Sequence, residues 1–312
     1  MNKYEKIVLL ALKNNPCEIE YRHSEAMSAH TTFKVGGNAD FWLRPSGGNF
    51  PFFLTEFFKQ AKTADIPVWV LGGGANILVS DNGIRGIVLD TGGWAGASVN
   101  DKHISFRSGT PLDGASEIAA AIGLSGLEFL AGMPGSIGGG VWMNARCYGS
   151  EVSDILSAVE IIDYGKVEPE IIKVSAIEGF AYKKSPFQGK KQFILSAEFN
   201  LKADGKQVIR KRMGKNRADR KEKGHYLFPC AGSAFKNNRD FGKPAGQIID
   251  ELGLRGRSIG GAQIAPFHGN IIINTGNATA SDIRALMDDV AAKVKDATNL
   301  TLEPEVLLVG GW

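Results

Sequence analysis

Gly132-Met-Pro-Gly-Ser-Ile-Gly-Gly-Gly140, running on through Val141-Trp-Met-Asn144, is the stretch on which the reading of this chain turns. Five of its nine residues are glycine, interrupted by Pro134 and Ser136, so the backbone can pass through φ > 0 and lie directly against a neighbour. Such a loop opening into a helix gathers unpaired N–H donors beside a partial positive charge, the arrangement that receives a phosphate. Glycines at 138, 139 and 140 would each weaken an exposed helix by about 1 kcal/mol relative to Ala, so helix propensity does not explain them. On glycine content alone a tight packing corner or a flexible surface loop is an equal alternative.

A second cluster, Leu71-Gly-Gly-Gly-Ala-Asn76, follows the strand-like run Val68-Trp-Val-Leu71. Two glycine loops in one chain suggest a dinucleotide held from two sides. Neither is a P-loop, since no Gly-Lys-Ser/Thr follows, and neither has the G-x-G-x-x-G spacing of a dinucleotide fingerprint between strand and helix. Because Ile77-Leu-Val-Ser80 is again strand-like, the first loop is expected to be a hairpin.

Strands and helices alternate around these loops without a βαβ repeat, which predicts an α+β fold. An amphipathic helix is expected over 51–64, and another from Thr110 to Ala121 with Thr110 as N-cap and Pro111 at its first position. Gly36-Gly37-Asn38 has the composition of a hairpin turn. Strands are expected near 155–163, 170–177 and 192–201. From Lys206 the texture changes to a basic helix, a helix over 244–252, strands around 262–274 and a long helix. In that last helix Ile283, Leu286, Met287, Val290, Ala291 and Val294 fall at 3.6-residue spacing, with Thr279 or Ser281 as cap. The expected division is an N-terminal helix within 1–20, a first domain over 21–205 and a second over 206–301, followed by a terminal strand over 302–312.

With 312 residues, 43% hydrophobic and 22% charged, the composition is that of a globular protein with a sizeable core. A net charge of +3 is too small to imply nucleic acid. The basic run Lys206 to Lys223 reads as a solvated helix, or else as a cationic wall for an anionic small ligand. Cys17, Cys147 and Cys230 are widely spaced and lack ligand-like partners, so neither a disulfide framework nor a metal site is expected. Ile7 to Leu12 is too short for a secretion signal and reads as an amphipathic helix; no run approaches the length that spans a bilayer. A cytoplasmic protein is expected.

Nine blocks carry a resemblance to a known family: HTTFKVGGNAD (30–40), VLGGGANILVSDNGIRGIV (70–88), GMPGSIGGGVWMNA (132–145), YGSEVSD (148–154), YKKSPF (182–187), GSAFKNN (232–238), IGGAQI (259–264), NATASDI (277–283) and LEPEV (302–306). In this order they resemble the UDP-N-acetylenolpyruvoylglucosamine reductases, flavoenzymes of peptidoglycan precursor synthesis, in their shorter form. The resemblance implies a two-lobed FAD-binding domain of the vanillyl-alcohol oxidase type (lobes about 21–91 and 92–205), a C-terminal α+β substrate domain, and a final strand returning to the FAD domain. It implies that Gly72, Gly73, Gly74, Ala75, Asn76 and Ile77, with Met133, Pro134, Gly135, Ser136, Gly138, Gly139 and Asn144, hold FAD. NADPH is the implied co-substrate and an enolpyruvyl UDP-sugar the implied substrate, with neither nucleic acid nor membrane as partner and a monomer as the working unit.

The implied chemistry is hydride transfer from flavin N5 to the vinyl carbon, with Ser233 matching the proton donor and Glu305 the carboxyl group that steadies the enolate. A serine hydroxyl is a weak acid and serves only where its surroundings stabilise the alkoxide or relay a proton. Glu303 is the comparator, on the same side of the strand by alternation. Arg220 matches a basic residue for the diphosphate, and Lys236 and Asn237 follow the serine in the substrate turn. Three features depart from the family. Lys183 stands where an Arg braces the substrate carboxylate, keeping the charge without the bidentate fork. Arg146 replaces a Gly and would be strained if φ > 0 were needed there. His225-Tyr226 replaces Gln-Pro. A flavin oxidase on the same fold, or a nucleotide-sugar binder silenced by the Lys183 change, are the competing readings.

Overall fold

The computed structural model describes residues 2–100, 103–175 and 177–312. Among the described residues there are seven α-helices: α1 (Lys3–Leu12), α2 (Phe50–Thr63), α3 (Leu112–Ile122), α4 (Ile137–Trp142), α5 (Lys206–Glu222), α6 (Ala245–Glu251) and α7 (Ala280–Thr298). The chain divides into two compact units, the first formed by Met1–His23, Asp40–Gly73 and Gly86–Arg217, the second by Ser24–Ala39, Gly74–Arg85 and Ala218–Trp312.

The first unit is built on two sheets. One runs in the order Glu18–Ala26, Asn38–Ser46, Ile84–Asp90, Val68–Leu71, with the last two strands parallel. Against it α2 buries Phe50, Phe53, Leu54, Phe57 and Phe58, and Phe50 stacks on Trp94 with centroids 4.3 Å apart. Helix α1 begins with a capping box: the Asn2 side chain accepts from Tyr4 and Glu5 amides, and Ile7, Val8 and Ala11 enter the same core. The second sheet is antiparallel, in the order Glu170–Ser175, Leu156–Asp163, Gln192–Asn200, His103–Arg107, Ala97–Asn100. Its core takes in Ile104, Phe106, Val159, Ala197 and Phe199 together with Ile137 and Val141 of α4. That burial fixes the short helix, and with it the glycine loop at its front. The expected strand over 170–177 is observed to Ser175; residue 176 lies outside the described residues.

In the second unit Ile283, Leu286, Met287, Val290 and Val294 of α7 are buried, with Thr279 capping the helix through the amide of Asp282. They pack with Ile248 and Ile249 of α6 and with Phe33, Leu78, Phe235 and Val306. The strands Ser258–Ile259, Ala262–Ile264 and Ile272–Asn274 form an antiparallel sheet. Leu307–Val309 runs parallel to Ile77–Val79.

Three local expectations are corrected. The loop at 72–76 is no hairpin, because Val68–Leu71 pairs with Ile84–Asp90 while Ile77–Val79 pairs with Leu307–Val309. Pro111, with ψ of 140°, is itself the N-cap of α3, and the Thr110 hydroxyl instead bonds Gly96. Residues 36–38 are not a hairpin turn either: the Gly37 amide donates to the Ser80 carbonyl, and a Cβ at Gly37 would lie 2.0 Å from the Asp81 oxygen.

Candidate active site

The two glycine clusters meet within the first unit. A Cβ on Gly72 would lie 2.5 Å from the Ser136 hydroxyl, and one on Gly73 would lie 2.6 Å from the Gly135 Cα. Backbone therefore rests on backbone, an approach that no side chain permits. The start of the second loop is fixed by Asp113, which accepts from the Gly132 amide at 2.6 Å and pairs with Arg217.

Glycines 138 and 140 have packing reasons. Cβ atoms there would come within 2.9 Å of the Ser108 Cβ and a Leu112 methyl respectively. Nor are the first amides of α4 free, as the sequence suggested: Ile137 donates to Thr110, Gly138 to Ser108 and Gly140 to Ser136, all carbonyls at 2.7–2.8 Å. The physical reason is that the helix entrance is laid along residues 108–110, whose carbonyls take those donors. Amides without an acceptor among the described residues lie upstream, at Gly73, Gly135 and Ser136. At Gly139 a Cβ would meet only the Ser136 hydroxyl, at 3.5 Å, so nothing in the protein demands glycine there. Unpaired amides with bare backbone beside them suit a diphosphate, and on that observation the residues present fit a flavin dinucleotide. Met133 is half-buried and Pro134 exposed beside this backbone. Gly74, Ala75, Asn76 and Ile77 continue the first loop into the second unit, where the Asn76 side chain donates to the Glu305 carbonyl at 3.0 Å.

Beyond α4 the chain forms a second constellation of the first unit. Asn144 is fully buried with φ of +45°. Its amide nitrogen donates to Glu151 and to the Ala181 carbonyl, both at 3.1 Å, and its oxygen accepts from the Ser153 amide. The whole side chain is spent on joining two turns. One is the hairpin Arg146–Cys147 against Ser150–Glu151, whose central residues Tyr148 and Gly149 both have positive φ, as a type I′ turn requires. Arg146 is not among the left-handed positions, so the strain considered for it does not arise. The other turn is Ala181–Lys184, closed by reciprocal backbone bonds of 3.0–3.1 Å. It is pinned to α4 by Ser185 and Gln188, which both donate to the Trp142 carbonyl. At its tip Tyr182 is flanked by two cations: the Arg146 guanidinium lies 5.7 Å from the ring centroid and the Lys183 ammonium 5.9 Å.

The second unit brings Ser233 and Glu305 together. Ser233 forms an antiparallel bridge to Ile271 and Phe235 one to Pro304, and the Glu305 amide donates to the Ala234 carbonyl at 2.8 Å. Asn270 clamps the turn, its side chain bonding both the N–H and the C=O of Phe235. The Ser233 hydroxyl has no hydrogen-bond partner among the described residues. Glu305 is 8% exposed, whereas Glu303 is exposed and paired with Lys236, so alternation does not give the two glutamates like surroundings. Asn237 accepts from the Ala245 amide at the start of α6. Arg220 is buried. Near it burial, then the charges of Arg220, His268 and Lys223, push the His225 imidazole down to about 4, and burial raises the Cys230 thiol.

In the first-unit part of the basic helix α5 the three arginines are paired, Arg210 with Glu117, Arg212 with Glu128 and Asp204, and Arg217 with Asp113 and Glu117. Sequence reasoning missed Asn270, Glu151 and Asp113; a single amide or carboxylate that bonds a distant backbone group or side chain carries no spacing signal. No helix among the described residues is long and apolar enough to cross a membrane.

Two family profiles match the chain. The family profile described as the FAD binding domain matches residues 54–167. The profile of the UDP-N-acetylenolpyruvoylglucosamine reductase C-terminal domain matches residues 223–309. The chain is 45% identical over 286 residues to the UDP-N-acetylenolpyruvoylglucosamine reductase of Borreliella burgdorferi, covering 91% of this chain and 93% of that one. To the enzyme of the same name from Borrelia garinii subsp. bavariensis it is 44% identical over 283 residues, 90% of each. The crystal structure of UDP-N-acetylenolpyruvylglucosamine reductase from Thermus caldophilus superposes with a TM-score of 0.76 at 32% identity, over 94% of this chain and 99% of that one.

Proposed function

Because the chain belongs to the UDP-N-acetylenolpyruvoylglucosamine reductase family, we propose that it reduces UDP-N-acetylglucosamine enolpyruvate to UDP-N-acetylmuramate in the cytoplasm, for peptidoglycan precursor synthesis, with NADPH as reductant. When bound, FAD supplies the hydride that is taken from NADPH and delivered from N5. The loops at 72–77 and 132–139 hold it through main-chain amides, with Gly73, Gly135 and Ser136 as the donors to its diphosphate. Asn144 serves by position, holding the turn that carries Lys183.

Adding hydride to the vinyl carbon leaves negative charge on the neighbouring carbon and its carboxylate. Ser233 gives that carbon its proton. Glu305, buried beside the serine turn, hydrogen-bonds the developing enolate through its carboxyl group. Lys183 offers its ammonium to the substrate carboxylate, and Arg220 takes the diphosphate of the nucleotide. Lys236, paired with Glu303, and Asn237, which caps α6, shape the turn that follows the serine.

The observation that carries this reading is a Ser233 hydroxyl without a hydrogen-bond partner among the described residues in the turn whose Ala234 carbonyl accepts from the amide of the buried Glu305. A two-step anaerobic experiment tests it: NADPH bleaches the bound flavin, and the enolpyruvyl nucleotide restores the colour. Ser233→Ala is expected to spare the first step and slow the second. Equal loss of both steps refutes the proton-donor role.

A further inference from the structure

Lys183 leaves the substrate carboxylate with a single point charge, and the first unit places a guanidinium against the same Tyr182 ring. We infer that Arg146 supplies the planar, two-pronged carboxylate contact that Lys183 cannot make, so that the enolpyruvyl carboxylate is bound by an Arg146–Lys183 pair arranged on Tyr182; the inference rests on the function proposed above.

Arg146 is held for such a task and is otherwise little used. Its hairpin sets it directly opposite Glu151, and the Tyr148 hydroxyl ties the turn down by donating to the Asn216 carbonyl at 2.9 Å. Yet the ion pair to Glu151 is loose, at 3.7 Å. The other Glu151 oxygen is already taken by Asn144 and by Ser153, at 3.1 and 2.9 Å. No hydrogen-bond acceptor for the guanidinium lies closer among the described residues, and its side chain is 33% exposed. It therefore keeps its N–H fork for a ligand.

Its remaining neighbour is the Tyr182 ring, on which Lys183 also rests. An aromatic face attracts each cation, so both heads are held on one ring, and a planar carboxylate matches the geometry of the guanidinium fork. A purely structural role predicts little: a half-exposed pair with Glu151 is worth about 1 kcal/mol or less.

The test compares equilibrium binding of UDP-N-acetylmuramate, which carries the carboxylate, with UDP-N-acetylglucosamine, which lacks it. Holoprotein is used in four forms: unaltered, Arg146→Ala, Lys183→Arg, and both together. The unaltered protein is expected to favour the carboxylate-bearing nucleotide, and Arg146→Ala to cut that preference by about 10- to 100-fold, the range of a charge-assisted hydrogen bond. Its thermal midpoint should stay in place. With Arg at 183 the same Arg146→Ala change is expected to cost less than about threefold, because the fork has been restored nearby. Equal losses in both backgrounds, or an Arg146→Ala protein with undiminished preference and normal turnover, overturn the role of Arg146 alone. An unaltered protein that neither prefers the carboxylate nor turns over the enolpyruvyl nucleotide overturns this inference and the proposed function together.

Discussion

Replacing Gly139 by Ala separates a packing corner from a cofactor cradle. At Gly138 the added methyl would press to 2.9 Å from the Ser108 Cβ and 3.3 Å from its carbonyl oxygen, an overlap that costs about 1–3 kcal/mol in a packed interior. At Gly139 the same methyl meets only the Ser136 hydroxyl, at 3.5 Å, an ordinary contact. Within α4 it should even add up to about 1 kcal/mol, the advantage of Ala over Gly in a helix. The flavin-free Gly139→Ala protein is therefore expected to be as resistant to urea as the unaltered one, or slightly more so, while Gly138→Ala unfolds earlier. FAD affinity should behave in the opposite sense. If bare backbone at 139 lies against the cofactor, a methyl there carries the same overlap cost of about 1–3 kcal/mol into binding, or about 5- to 150-fold in Kd. Fluorescence titration of the flavin-free proteins reads this directly. A Gly139→Ala protein with unchanged stability and unchanged FAD affinity refutes the argument that the third glycine exists for a ligand.

Other residues give equally direct outcomes. Ser233→Ala should slow re-oxidation by the enolpyruvyl nucleotide by about two to four orders of magnitude, measured by stopped-flow absorbance. Glu305→Gln should lower kcat by about 10²–10³, whereas Glu303→Gln, which loses only the exposed pair with Lys236, should change it little. His225 is held near 4 in the folded chain against 6.5 ordinarily. The unfolded chain thus takes the proton first, and the stability due to neutral His225 is complete above pH 6.5 and lost as pH falls toward 4. His225→Gln should therefore flatten the acid limb of urea stability between these values, by no more than about 3 kcal/mol. Thr279→Ala removes the hydroxyl that caps α7 through the Asp282 amide and should cost about 1 kcal/mol in the same assay.

What the residues reveal unaided follows the range of the interactions. The buried stripe of α7, from Ile283 to Val294, was legible because 3.6-residue periodicity is a local property; Ala291 alone of the six expected residues stays partly exposed. The importance of the two glycine loops was legible too, since glycine density marks close approach. Which partner each glycine approaches was not. Gly72 and Gly73 are explained by Gly135 and Ser136, and Gly138 by Ser108, contacts that depend on the assembled sheets. The supposed hairpin at 72–76 failed for the same reason: Ile77–Val79 finds its partner more than two hundred residues downstream, at Leu307–Val309. In the candidate site Ser233 and Glu305 stood out by resemblance, while the bond from the Glu305 amide to the Ala234 carbonyl, and the Asn270 clamp on Phe235, came only from the fold. That Arg146 and Lys183 share the Tyr182 ring could not be read from two short motifs 37 positions apart, since the Asn144 side chain joins the two turns that carry them.

One anaerobic titration of the flavin-loaded protein tests the proposed reductase activity most directly. Addition of NADPH is expected to abolish the yellow absorbance of the oxidised flavin, the cofactor's own signature of taking up a hydride. Stoichiometric UDP-N-acetylglucosamine enolpyruvate is then expected to restore it while yielding UDP-N-acetylmuramate. A reduced protein that the enolpyruvyl nucleotide leaves colourless, or a chain that cannot be loaded with FAD at all, contradicts that activity.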